Sequence, residues 1–108
     1  MSDTIKTSLL AQLLGAIKML EQAIEACPNE FWKDDQEFWY KAYHTLFYLD
    51  YYLSDDPASF APPAPFTFSE FDPAGAKPPR VYTQEELLHY LNYCRALAIA
   101  TLPTKNLE

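Results

Sequence analysis

His44 stands in the stretch FWYKAYHTLFYLDYYL, residues 38–53, with aromatic rings on both sides of it. An imidazole in such a place can ligate a metal, act as a catalytic base, or sit in a core with one quiet hydrogen bond. Zinc and nickel sites take three or four protein ligands, and a catalytic site leaves one position open. The chain has one other histidine, His89, and neither lies within a helical turn of another strong ligand. Glu37 falls two helical turns before His44, on the same side but too far along the axis to share one ion with it. On spacing alone, a lone imidazole of this kind is more often a core residue than a ligand. His89 reads as a surface residue.

The other nucleophiles and charges offer less. Cys94 falls on an apolar stripe, where a free thiol behaves as a small hydrophobe. Cys27 ends a helical pattern, and the negative end of a helix opposes thiolate formation. No serine lies in a nucleophile-elbow context. Asp55 and Asp56 read as a solvated helix end, and Arg95 as a flank residue of an amphipathic helix. No catalytic residue is assigned.

Three helical patterns must position these groups. Leu9, Leu10, Leu13, Leu14, Ile17, Leu20 and Ile24 recur at three- and four-residue steps. This first helix begins near residues 2–4 and ends before Pro28. Gly15 costs it helix propensity but could admit a close neighbour. A second helix is expected from about Asp35 to Leu53, apolar on two faces and therefore central. Trp39, Tyr43, Leu46, Leu49 and Leu53 form one face, and Tyr40, His44, Phe47, Tyr48 and Tyr51 the other. Asp50 interrupts them and needs a partner or a solvent exit. The third helix opens on Thr83-Gln84-Glu85-Glu86, a capping box. Its stripe is Leu87, Leu88, Leu91, Cys94, Leu97, Ala98 and Thr101 or Leu102, and Pro103 ends it.

Between the second and third patterns, residues 54–82 hold seven of the nine prolines and the phenylalanines Phe60, Phe66, Phe68 and Phe71. Proline excludes regular structure, yet a solvated linker would be poor in aromatics. The expectation is an extended crossover that docks its phenylalanines on the helices, as structural cover or as a pocket wall. The whole chain, 1–108, reads as one all-α domain with three long helices.

Composition narrows the functional classes. The net charge is −7, with eight Lys and Arg against fifteen Asp and Glu. That leaves no basic stripe for nucleic acid, and it disfavours anionic membranes. There is no glycine-rich phosphate loop. The apolar runs are too short to span a bilayer. The start, MSDTIKTSLL, lacks the pattern of a secretory signal, so a cytoplasmic chain with reduced thiols is expected.

The order of these features resembles the DinB-like superfamily of four-helix bundles. The matching pieces are the leucine-rich first helix, EACPNEFW, FWYKAYHTLFYLDYYL, FAPPAPFTFSEFDPAG and YTQEELLHYLNYCR. They cover nearly the whole chain, and the last two are the most specific. The resemblance implies a divalent metal, nickel or zinc, held by three histidines, with His44 in the position of the first. It also implies two further histidines from a fourth helix, and chemistry of the metal-dependent hydrolase or thiol-transferase kind. The sequence stops at Glu108, before a fourth helix, and His89 fills neither remaining position. Two expectations follow: a fragment or shortened member, and an incomplete site that holds no metal tightly by itself.

Two functional readings therefore stand. One is an enzyme-superfamily member acting on a small-molecule or thiol substrate. The other is a non-catalytic module working through dimerisation or through an aromatic pocket of Tyr40, Phe47, Tyr48 and Tyr51. A homodimer or higher oligomer is expected, because three helices leave an apolar groove where a fourth would lie.

Overall fold

The computed structural model describes residues 3–32, 37–54, 58, 60–63, 66–67, 69–71, 78 and 80–101. The protein is all-α, and no strand occurs among the described residues. Helix α1 spans Asp3–Ala26, α2 Asn29–Trp32, α3 Phe38–Leu53 and α4 Gln84–Thr101, with a 3-10 turn at Ser69–Phe71. The short α2 is the unexpected helix. Phe68, Asp55, Asp56, Leu102 and Pro103 fall outside the described residues.

Helix α3 begins at Phe38, later than the expected Asp35. Its start is Glu37, the one described non-glycine residue with positive φ, at 50°. The Glu37 carbonyl accepts from the amides of Tyr40 and Lys41. The start of α4 follows the sequence signal closely. The Thr83 hydroxyl accepts the Glu86 amide at 3.0 Å, and the Glu86 carboxylate accepts the Thr83 amide at 2.9 Å. These bonds satisfy amides that a helix start otherwise leaves unpaired.

The central element is α4, not the helix around His44. Both α1 and α3 pack mainly on α4. Its buried side chains are Leu87, Tyr90, Leu91, Cys94 and Ala98. Tyr90 is the member that an aliphatic stripe does not suggest. On α1 only Ile17 and Ile24 are buried, while Ile5, Leu9 and Met19 stay exposed. Nothing lies within 4 Å of a side chain built at Gly15, so this glycine serves no close approach. The second apolar face of α3 is covered by rings from residues 60–71 instead of a helix. Phe47 and Tyr51 each meet Phe60 and Phe71, and Tyr43 stacks on Phe66 at 5.9 Å.

Two cross-links set direction. Gln84 Nε2 donates to the carbonyls of Ile24 and Cys27, and Arg95 reaches Glu21, so α1 and α4 run antiparallel. Trp39 meets Tyr82, Cys94 Sγ reaches the Leu46 carbonyl, and Leu53 shares a cleft with Leu97 and Thr101. Helices α3 and α4 therefore run parallel. Parallel neighbours cannot be joined by a short turn, which is the geometric reason for so long a connection between them.

Candidate functional site

His44 is not a core residue. Its side chain is 55% exposed, while the carboxylate that meets it, Glu70, is only 3% exposed. The helical period explains this. Tyr43, Leu46, Phe47 and Asp50 face inward. His44 sits on the flank of that stripe, between the rings of Tyr40 and Tyr48 at 6.3 and 4.9 Å.

Glu70 comes from the 3-10 turn at residues 69–71. The adjacent Phe71 anchors that turn by packing on Phe47 and Tyr51 of α3. The Glu70 carboxylate then receives two donors. Tyr40 Oη–H donates to Oε1 at 2.8 Å, and His44 Nδ1–H donates to Oε2. A carboxylate accepts only, so the shared proton sits on Nδ1. Tyr48 Oη donates to the Glu70 carbonyl at 3.4 Å. Burial, and then the bond to Glu70, push the Tyr40 phenol up to about 12, so it stays a donor at physiological pH.

The chemical consequence lies at the other ring nitrogen. With Nδ1 tied to a buried carboxylate, the lone pair of a neutral ring falls to Nε2, on a side chain that is half exposed. A carboxylate behind an imidazole fixes its tautomer and its aim, as around metal-bound histidines and catalytic bases. Sequence reading missed Glu70. The available signal was an acidic residue next to a phenylalanine in a segment expected to dock.

The remaining candidates fall elsewhere. Glu37 starts α3 and is not brought to His44. His89 is exposed on α4. Both cysteines are free thiols, and burial pushes the Cys94 thiol well above its ordinary range. Phe47 meets Tyr48, but Tyr40 and Tyr51 stand about three helical turns apart on α3, and Phe47 is fully buried under Phe60 and Phe71. Among the described residues, no group of three His, Cys, Asp or Glu side chains converges as a metal site would need.

Comparison with known protein families, characterised proteins and solved structures finds no match.

A cleft of about 380 Å³ opens where α2 meets the start of α4, against Trp32, Tyr82 and Gln84. A second, of about 250 Å³, lies at the C-terminal ends of α3 and α4. Asp50 lines it and is only 2% exposed, with Oδ2 accepting the Tyr90 hydroxyl at 2.8 Å. Burial raises the Asp50 carboxyl above its ordinary value, and the Tyr90 bond opposes that in part.

Proposed function

We propose that this chain is a DinB-like helical domain in which His44 is a donor toward a divalent cation, nickel or zinc. The observation that carries the reading is the buried Glu70 carboxylate behind an exposed His44 ring. Such a pair presents one oriented imidazole lone pair at the surface. The described residues fit a metal only in part: one ligand, His44, and its orienting carboxylate, with no further ligand beside them. A complete site needs ligands from outside the described residues. In that form the cation would activate water or a thiol, giving a hydrolase or a thiol transferase. The His44–Glu70 pair alone should not hold metal tightly, so the chain by itself acts without a resident cofactor.

The reading extends to a cytoplasmic protein that self-associates. No helix among the described residues is long and apolar enough to cross a membrane. Ile5, Leu9 and Met19 are exposed on α1 and offer apolar surface to a second copy. A non-catalytic aromatic module is the second reading. The half-buried rings of Tyr40, Tyr48 and Tyr51 along α3 favour it, while the burial of Phe47 limits the pocket they could form.

Native mass spectrometry with added Ni²⁺ or Zn²⁺ tests the metal reading. The expected result is weak metal uptake that falls in His44→Ala and also falls, less steeply, in Glu70→Gln. Uptake unchanged in His44→Ala would overturn it.

A further inference from the structure

The cleft at the C-terminal ends of α3 and α4 shares no lining residue with the His44–Glu70 pair. Its floor is a carboxylate that folding would normally avoid burying. Asp50 Oδ2 is taken by Tyr90, but Oδ1 receives no hydrogen bond from any described residue. Tyr82 Oη is the one fully covered side-chain polar atom without a partner among the described residues, so Asp50 Oδ1 keeps some access. The residue lines a cleft, and that cleft is where its free oxygen can be met.

The surroundings share one electrostatic sign. Because α3 and α4 run parallel, both carboxyl ends close on the same cleft. Each end brings the negative pole of its helix. Neither helix has a basic residue in its last turn. Ser54, Tyr93 and Thr101 add hydroxyls, and Phe60 adds an aromatic wall.

We propose that this cleft binds a small organic ammonium ion, with its N–H groups donated to Asp50 Oδ1 and its carbon body against Phe60 and Tyr93. A metal ion fits less well. Calcium takes six to eight oxygen ligands and magnesium six, and one carboxylate oxygen with scattered hydroxyls does not supply them. An ammonium group needs about three acceptors, and aromatic faces attract organic cations. The volume of about 250 Å³ equals roughly eight water molecules, which suits a primary amine of a few carbons. The ion would restore the charge balance that burial of Asp50 upsets.

The test uses n-propylammonium and its neutral analogue 1-propanol, followed by amide NMR shifts of the full chain. Saturable shifts at residues 50–54 and 97–101 are expected with the ammonium, and at least tenfold weaker binding with the alcohol. Asp50→Asn keeps an acceptor for Tyr90 and should abolish the response. Ala61→Phe alters an exposed cleft residue, is expected to leave the core intact, and should also block binding. Equal responses to the two probes would overturn the proposal, as would no saturable response to the ammonium. So would binding that persists in a folded Ala61→Phe variant.

Discussion

A buried carboxylate beside a solvent-exposed ring gives His44 a defined proton on Nδ1, which the ring alone does not have. Glu86 shows what a charged partner does to a carboxylate near the surface. Arg80 donates to it twice, from Nη2 to Oε2 at 2.5 Å and from Nη1 to Oε1 at 2.7 Å, and the Thr83 amide adds a further bond. Together they hold its carboxyl at about 2, below the ordinary 4.5. A depressed folded-state value means the unfolded chain binds the proton more readily in acid. The Glu86 contribution is therefore fully present above about pH 4.5 and fades as pH falls toward 2. Thermal melts from pH 6 down to pH 2 should show Tm falling through that window. Glu86→Gln should lower Tm at pH 6 and flatten its dependence below pH 4.5. Asp50 has the opposite sign. Its raised value makes the folded state hold its proton, so its contribution worsens as pH climbs above the unfolded value.

At the scale of elements, each helix is decided by different physics. Helix α4 is set locally by its capping box and globally by its place between two neighbours. Helix α1 packs mainly on α4, and its middle carries a glycine with open space around it. Glycine in a helix interior costs about 1 kcal/mol against alanine. Gly15→Ala should therefore stabilise the protein by about 0.5–1 kcal/mol, read as a rise in the urea midpoint with unchanged slope. A loss of stability would mean that something covers Gly15 in solution. Helix α3 is different again, because its second apolar face is closed by rings and not by a helix. Phe71 belongs to that closure, and through the turn it anchors it also delivers Glu70 to His44.

The whole molecule is extended, 45 × 31 × 19 Å, and among its three long helices α4 is the one that packs mainly against both of the others. That leaves apolar side chains in water on α1, with Met19 71% exposed and Ile5 and Leu9 beside the same helix's polar residues. Exposed apolar groups of this kind mark a contact surface more often than chance. Light scattering after size exclusion should report a mass above that of one chain, rising with concentration. The triple substitution Ile5→Asp, Leu9→Asp and Met19→Asp should shift the population to monomer while the helical signal persists. A wild-type monomer at every concentration would count against self-association.

The sequence by itself determined the three long helices and their local signals, though not the short α2 or the start of α3. Periodic leucines, the Thr83–Glu86 box and proline punctuation act over one or two turns, so they are legible without a fold. It also made residues 54–82 aromatic enough to dock, and it exposed Asp50 as a misfit that needed a partner. Tertiary structure decided which helix is central, because two helices of similar apolar content compete for that place and only their packing ranks them. It decided that Tyr90 answers Asp50, forty residues away. It also decided that His44 lies half in solvent against Glu70, since a pairing across twenty-six residues depends on where a docked turn comes to rest and leaves no periodic trace in the chain.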